Sequence, residues 1–275
     1  MDLSRGGGLR ARLATGDADR DAIMALRARS FPHADGSRES WDAYDSRCHQ
    51  VVVSGLRDAA HGGAEHAILA SLRVLIAPAA QVAEAGYAAR YYDLAPVCLP
   101  GGTVAEVGRL CLAPGPRAWE ALRLLLAGLG RIVDDGGAQR MIGCASFAGA
   151  GWQGHRDALA LLAANHLGPA RLQPGQRATE VVDYPRLAGT QPVDPRAARA
   201  AIPSLLRSYL AMGGWVSDHA VVDRELDTLH VLACVEVGSM PAARTARLRG
   251  LARGPAGEVA GDTAPYPGNL CAAAP

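Results

Sequence analysis

Apolar and polar residues alternate along this chain with two different periods. Three apolar runs in the first half predict strands, with glycine-rich breaks between them: HQVVVSG, HAILASLRVLI and TVAEVGRLCL. The stretch 117–134 predicts the clearest helix, because apolar side chains recur in it at intervals of three and four residues. These side chains are Trp119, Leu122, Leu126, Leu129 and Val133. We expect this stripe to pack against a sheet.

The remaining blocks extend the pattern toward both ends of the chain. Near the start, LRARL predicts a short strand, and a helix with Ile23, Leu26 and Phe31 on one side follows it. After the long helix, strands and helices alternate in the order RMIGCASF, HRDALALLAANHL, RATEVVDY, AAIPSLLRSYLAM and DTLHVLACVEV. This succession predicts an α/β (α+β) fold, in which a mixed sheet is covered by helices on its faces.

A single domain accounts for these elements. We expect a flexible N-terminus over residues 1–8 and the domain over residues 9–238. Residues 239–275 are rich in Arg, Gly, Ala and Pro without periodicity, so we expect a tail that is disordered or loosely packed.

Composition narrows the class of protein. The chain has 275 residues, of which 49% are hydrophobic, and this is enough to bury a sizeable core. A net charge of +1 gives no overall field that would attract nucleic acid, so we expect no such partner. The six cysteines contain no CxxC pair, which argues against a zinc site or a disulfide framework. We find neither a signal-peptide pattern nor an apolar run of membrane-spanning length, and we expect a cytoplasmic protein without a metal.

Two charged residues, Glu106 and Arg109, lie within the apolar run TVAEVGRLCL. A charge in a core is costly unless it is paired or used. Gly108 between them predicts a bulge, and one extra residue there would bring Arg109 to the face of Glu106 and expose a backbone N–H. The alternative is an internal Glu106–Arg109 ion pair that stabilises the sheet.

Two further stretches could bind charged groups. The loop APGPRAWEA leads into the long helix, where unpaired amides and the helix dipole would favour a phosphate beside Arg117. An ordinary strand-to-helix turn is the alternative. Asp42, Asp45 and His49 form a polar cluster before a strand, which predicts either a site for a positively charged side chain or a capping turn.

Several blocks of the sequence together match one known family. EVGRLCLAPGPR, RMIGCASFAGA and IPSLLRSYLAMGGWVSDHAVVDRELDT occur in this order, after ALRARSF and WDAYDSRCHQVVV. From residue 9 to residue 238 the chain resembles the ornithine–acyl carrier protein N-acyltransferases, a branch of the GNAT-like acyltransferases often labelled haemolysin-like. The resemblance implies a GNAT-like fold, a mixed and largely antiparallel sheet with a central strand bulge, flanked by helices.

The resemblance also implies an activity. A 3-hydroxyacyl group would pass from acyl carrier protein to the α-amino group of L-ornithine, giving lyso-ornithine lipid in the first step of ornithine lipid biosynthesis. No bound cofactor is implied, because the phosphopantetheine arm of the carrier protein presents the acyl group. An amine must be neutral to attack a thioester, and Glu106 is expected to accept its proton as general base.

The expected site follows from these roles. Arg109 would hold a carboxylate of the amino acid or fix Glu106. Ser146 would donate a hydrogen bond or supply the proton that the leaving thiolate takes up. Backbone amides of Gly108 or Leu110 would stabilise the tetrahedral intermediate. The expected substrate-binding residues are Arg27, Asp42, Asp45, His49, Gly108, Leu110 and Cys144. The expected phosphopantetheine-binding residues are Arg117, Ala118 and Trp119.

Local arginine clusters are the expected docking surface for an acidic carrier protein. They are Arg27, Arg29, Arg244, Arg247, Arg249 and Arg253. The tail arginines would alternatively contact anionic lipids, which implies peripheral association with the inner membrane surface.

Other interpretations stay open at this point. Cys144 or Cys111, activated by His155 or His166, would allow an acyl-cysteine intermediate. The chain could also be an acyl-homoserine-lactone-type synthase or a non-catalytic module that binds acyl carrier protein. Tyr91 and His230 stand where the family usually has acidic residues, which would be compatible with an amine other than ornithine.

Overall fold

One large sheet organises the protein. The computed structural model describes residues 2–31, 41–55, 67–189, 194–242, 246 and 250, apart from the side chains of 4 and 187–189. In these residues a nine-stranded sheet has the spatial order β1 (Asp2–Gly6), β2 (Leu9–Leu13), β3 (His49–Gly55), β4 (Ile68–Pro78), β6 (Thr103–Leu112), β7 (Arg140–Ala148), β11 (Thr228–Glu236), β10 (Trp215–Asp223) and β9 (Val181–Val182). A separate pair joins β5 (Tyr92–Asp93) to β8 (Gly175–Gln176).

Seven helices accompany these strands in the described part of the chain. They are α1 (Gly16–Ser30), α2 (Ala79–Ala85), α3 (Ala95–Cys98), α4 (Ala118–Asp135), α5 (Arg156–Asn165), α6 (Pro195–Ala201) and α7 (Ser204–Ala211). Short 3-10 turns lie at Asp45–Arg47, Ala88–Arg90, Trp152–His155, Ala170–Leu172, Tyr184–Gly189 and Val237–Ser239.

The direction of the strands confirms the predicted mixed, largely antiparallel sheet. Each neighbouring pair in the large sheet is antiparallel except β6 and β7, which α4 connects and which run parallel. A parallel pair needs a crossover connection, and the long amphipathic α4 provides it.

Helices cover both faces of the sheet. On one face α4 buries Leu122, Leu129 and Val133 against β1 to β4, as its apolar stripe predicts. Trp119 departs from the predicted stripe, since it is 45% exposed in the first turn of α4. On the other face α1 places Ile23 and Leu26 in a smaller cluster with residues of β3, β4 and β6.

Three segments differ from the prediction. Residues 1–8 were expected to be flexible, whereas Asp2–Gly6 form β1, which pairs with β2 and buries Leu3 in the core. The run WVSDHAVVD forms β10, a strand that the sequence analysis omits, and RATEVVDY contributes only Val181–Val182. Of the expected tail, 251–275 and most of 243–249 lie outside the described residues.

The ladder between β6 and β7 is short. It pairs Val104 with Arg140, Ala105 with Met141 and Glu106 with Ile142, and no further pair joins these two described strands. Beyond Glu106 and Ile142 the two strands no longer pair, and we call the unpaired region between the end of β6 and the end of β7 the split.

Gly143 lies where the two strands part, and its substitution should be costly. A Cβ at this position would lie 2.5 Å from the carbonyl oxygen of Val107, so Gly143→Ala must push the two backbones apart. We expect a loss of about 1–3 kcal/mol in the free energy of unfolding, measured by chemical denaturation. Gly130→Ala in α4 is the matched control, because a Cβ there meets nothing within 4 Å and we expect a neutral or stabilising effect. Equal effects at the two positions would contradict the prediction.

Candidate functional site

A bulge interrupts β6 beside the split. Between its pairs with Arg73 and Ser71 of β4, β6 advances from Gly108 to Cys111 and therefore contains one extra residue. Arg109 has a φ of 50°, in the left-handed region that a residue with a side chain seldom adopts. The predicted bulge is confirmed, and its strained residue is Arg109 rather than Gly108.

The bulge decides which side chains share a face. Val107 and Leu110 pack into the cluster that includes α4, although they are three positions apart. Cys111 packs into the cluster of α1 on the opposite face. Gly108 and Arg109 therefore both lie on the side of α1, which is also the side of Glu106.

Glu106 is buried and holds a turn in place. Its Oε1 accepts a hydrogen bond from the amide of Ala88 at 2.6 Å, and its Oε2 accepts one from the amide of Tyr87 at 2.9 Å. Burial raises the pKa of the Glu106 carboxyl above its ordinary value, although these two amides and the charge of Arg73 oppose the shift. The contacts of Glu106 are thus with backbone amides rather than the ion pair with Arg109 considered as an alternative.

Arg109 extends toward the same turn. Its guanidinium carbon lies 5.6 Å from the ring centroid of Tyr87 and 5.1 Å from that of Phe31. Arg73 approaches the ring of Tyr87 as well, at 5.1 Å. A carboxylate, a guanidinium and an aromatic ring therefore meet beside the bulge.

Arg27 and Asp45 belong to a buried network rather than to an open site. The two side chains form a bidentate ion pair with both distances at 2.8 Å, and both are almost completely inaccessible to solvent. Arg73 reaches Asp45 at 3.1 Å and Asp42 at 2.7 Å. Burial raises the pKa of the Asp45 carboxyl, but Arg27 and Arg73 outweigh it and hold this pKa below its usual range. In place of the expected contacts with substrate or carrier protein, Arg27 and Asp45 contact each other.

The other two members of the predicted polar cluster, Asp42 and His49, are more exposed than Asp45. Asp42 is partly exposed, and its Oδ1 also accepts hydrogen bonds from the amides of Tyr44 and Asp45 in a capping turn. His49 is exposed at the start of β3. The capping alternative is therefore the one that the local geometry supports for Asp42.

The predicted phosphate site lies at the first turn of α4. Nε of Arg117 donates to Glu120 at 3.0 Å, and Nη2 of Arg117 donates to the carbonyl of Gly7. Ala118 is half-buried and Trp119 is exposed. These two hydrogen bonds use two of the five N–H donors of the guanidinium, and the side chain is 42% exposed.

Cys144 and Ser146 lie on β7 next to the split. Ser146 is exposed, whereas burial followed by the charges of Glu106 and Asp223 raises the pKa of the Cys144 thiol well above its ordinary value. A protonated thiol is a poor nucleophile. His155 packs on Phe147, which points to the opposite face of β7, and its Nε2 lies 2.9 Å from the carbonyl of Ala148. This arrangement does not favour an acyl-cysteine intermediate at Cys144.

The two positions that depart from the family pattern touch each other. The ring centroids of Tyr91 and His230 are 4.9 Å apart, and the hydroxyl of Tyr91 donates to Oδ2 of Asp223 at 3.4 Å. Sequence reasoning missed Asp223, Arg73 and Tyr87. No local signal identifies them, because each acquires its neighbours from a distant part of the chain.

The remaining expectations concern the arginine docking surface, metal binding and membrane-spanning segments. Arg29 is exposed on α1, while Arg244, Arg247, Arg249 and Arg253 lie outside the described residues. Among the described residues, no cluster of His, Cys, Asp or Glu could hold a metal ion. The same part of the chain contains no helix with the length and apolar character needed to cross a membrane.

Comparison with known proteins connects this geometry to a family. The model of the acetyltransferase (GNAT) domain family matches residues 24–127, a range that includes the bulged strand. The GNAT-like fold expected from the sequence is thereby confirmed. A solved N-acyl amino acid synthase from uncultured soil microbes, FeeM, is 12% identical with a TM-score of 0.42, covering 84% of this chain and 91% of that chain.

Curated relatives extend over most of the sequence. An L-ornithine N(alpha)-acyltransferase of Rhizobium meliloti is 30% identical over 252 residues, which cover 86% of this chain and 83% of that protein. A protein of the same name from Agrobacterium fabrum is 29% identical, and the match covers 86% of this chain and 84% of the relative. Another, from Rhodobacter capsulatus, is 32% identical, and the match covers 63% of this chain and 66% of the relative.

Proposed function

The chain belongs to the family of L-ornithine N(alpha)-acyltransferases, and we propose that it transfers a 3-hydroxyacyl group from acyl carrier protein to the α-amino group of L-ornithine. It is an N-acyltransferase. The product of the proposed reaction is lyso-ornithine lipid, the first intermediate of ornithine lipid biosynthesis.

The observation that carries this proposal is the bulge at Arg109, which brings Arg109 to the face of Glu106 beside the split between β6 and β7. An α-amino group is mostly protonated at neutral pH and becomes a nucleophile only after it loses a proton. In this proposal the carboxylate of Glu106 accepts that proton, directly or through a water molecule. Its raised pKa makes it a better proton acceptor than an exposed glutamate.

The split offers a place for the acyl donor. Parallel strand edges without a partner present N–H and C=O groups, and an extended chain that contains amides can pair with them. We assign this role to the phosphopantetheine arm of acyl carrier protein, with Arg117, Ala118 and Trp119 near its phosphate. Amides of Gly108 and Leu110 would donate to the carbonyl oxygen as it becomes an oxyanion.

The remaining steps use side chains around the split. The nitrogen of the amine forms a bond to the thioester carbon, and the carbon–sulfur bond breaks as the intermediate collapses. Ser146, exposed on β7, would supply the proton that the leaving thiolate takes up. Arg109 would bind the α-carboxylate of ornithine through its planar guanidinium. An amphiphilic product is compatible with peripheral contact to anionic lipids at the inner membrane surface.

An acyl-transfer assay tests the proposal. The purified full chain is incubated with 3-hydroxyacyl carrier protein and a panel of amines, and the products are identified by mass spectrometry. We expect N-acylation of L-ornithine with release of free carrier-protein thiol. Acylation of homoserine lactone instead would identify an acyl-homoserine-lactone-type synthase, and carrier-protein binding without any acylated amine would identify a non-catalytic module.

A further inference from the structure

Asp223 ends β10 with a carboxylate that serves two purposes. Its Oδ1 accepts hydrogen bonds from the amides of Glu225 at 3.0 Å and Leu226 at 3.1 Å, and so closes the turn to β11. Its Oδ2 receives the hydroxyl of Tyr91 at 3.4 Å. Because the turn uses only Oδ1, the second oxygen is directed away from the turn and toward Tyr91.

His230 adds a neutral ring with an unused nitrogen. The hydroxyl of Tyr92 donates to the carbonyl oxygen of His230 at 2.9 Å and lies 3.1 Å from Nδ1. A tyrosine hydroxyl has one proton, so Nδ1 of His230 must donate in return and Nε2 carries the lone pair. Nε2 finds no hydrogen-bond partner among the described residues although the side chain is buried. Burial lowers the pKa of His230 to about 4, so the ring is uncharged at neutral pH.

These groups adjoin the proposed catalytic carboxylate. In the sheet His230 pairs with Ser146 and Leu232 pairs with Cys144, so the ring lies across from the residues that flank the split. On β7, Ile142 pairs with Glu106 and Ser146 pairs with His230, so Glu106 and His230 lie beside positions four residues apart on the same face of that strand. Tyr91 links these groups to Glu106. Its ring centroid lies 5.7 Å from that of Tyr87, and the amide of Tyr87 donates a hydrogen bond to Glu106.

We infer that Asp223, Tyr91 and His230 form the subsite that binds the side-chain ammonium of the acceptor amino acid. An ammonium group has three N–H donors, and the subsite offers a carboxylate oxygen, a phenol oxygen and an imidazole lone pair. The neutral state of His230 avoids repulsion of the cation. Arg90 lies over the ring of Tyr91 at 5.3 Å but is exposed, so solvent screens its charge. The preferred acceptors are therefore short α-amino acids with a basic side chain, an inference that rests on the proposed function.

Substitution of Asp223 tests the subsite. We measure kcat/KM for L-ornithine and for L-norvaline, which has the same carbon chain without the terminal amine. The wild-type protein should prefer ornithine, and Asp223→Asn should lower kcat/KM for ornithine by about 10- to 100-fold, the effect of losing one charged hydrogen bond. For norvaline kcat/KM should stay within about threefold of wild type, because no ammonium enters the subsite.

Two further variants control for structural effects. The Asp223→Asn variant retains an oxygen for the turn. Asp227→Asn removes the same charge from the same hairpin, where Oδ1 of Asp227 accepts a hydrogen bond from the amide of Ala150 at 2.9 Å. Asp227→Asn should leave the ornithine-to-norvaline ratio unchanged. Tyr91→Phe keeps the ring and should reduce this ratio about threefold or more, and it serves as the readout if Asp223→Asn does not fold.

The outcomes separate the two proposals. A wild-type protein that acylates ornithine and norvaline equally, or an Asp223→Asn variant that loses both activities in proportion, would overturn the ammonium subsite and leave the proposed function standing. A wild-type protein that acylates no amine would overturn the proposed function and this inference with it.

Discussion

Replacement of Glu106 with glutamine is expected to lower kcat for the proposed acyl transfer by about 100-fold or more, the usual contribution of a positioned general base. Glutamine has nearly the same shape but cannot accept the proton of the attacking amine. In the wild-type protein kcat should fall on the acid side through the raised pKa of Glu106, at a higher pH than the ordinary value of 4.5 would give. The variant should lack this acid limb, which steady-state kinetics across pH would show.

The contacts of Glu106 require a stability control. Each carboxylate oxygen of Glu106 accepts a hydrogen bond from a backbone amide. In the Glu106→Gln variant the NH₂ group replaces one of these oxygens and faces an amide donor, so one hydrogen bond is lost. We expect this loss to cost about 1–3 kcal/mol in the free energy of unfolding. Glu84→Gln, at an exposed position of α2, is the matched control for activity and stability. Full activity of a folded Glu106→Gln protein would exclude Glu106 as the base.

Replacement of Asp45 with asparagine is expected to destabilise the protein by about 3–5 kcal/mol, because it leaves two buried guanidinium groups without their shared carboxylate. Arg27 and Arg73 both contact Oδ1 of Asp45. Oδ2 of Asp45 also accepts a hydrogen bond from the amide of Asp42 at 2.9 Å. Asparagine preserves the size of the side chain, so the loss reports the charge rather than a cavity. Chemical denaturation at neutral pH measures the effect.

An exposed ion pair provides the comparison for Asp45. Asp183 and Arg186 are 2.8 Å apart, but their side chains are 46% and 87% exposed. Asp183→Asn should therefore change stability by no more than about 1 kcal/mol. Losses of equal size at Asp45 and Asp183 would show that the buried network contributes no more than a surface pair.

Local patterns predicted the elements closest to the site. The alternation of TVAEVGRLCL predicted β6, the three-and-four spacing of leucines predicted α4, and Gly108 next to two charged residues predicted the bulge. A bulge depends on the conformations of adjacent residues, which is why sequence reasoning could find it. The same reasoning could not find β1, because its burial of Leu3 depends on packing against β2 and α4.

Assignments of charged residues to a substrate were less predictable. Arg27 and Asp45 were expected at the substrate, but they are 18 positions apart in sequence and form a buried ion pair that joins α1 to the turn before β3. Asp223 was not among the predicted site residues, because the residue it contacts, Tyr91, is 132 positions away in the sequence. A charged residue in a sequence does not reveal whether its partner is another part of the chain or a ligand.

By itself, therefore, the sequence determined the strands and helices near the site, the kink at Gly108 and Arg109, and the family to which its blocks belong. These features arise from periodicity and backbone preference, which act over a few residues. Only the tertiary structure decided that Glu106 holds the turn at Tyr87, that Arg27, Asp45 and Arg73 form one buried network, and that Tyr91 contacts both Asp223 and His230. Electrostatic and hydrogen-bond energies depend on distance in space and on exclusion of water, and folding sets both by joining segments that are remote in the chain.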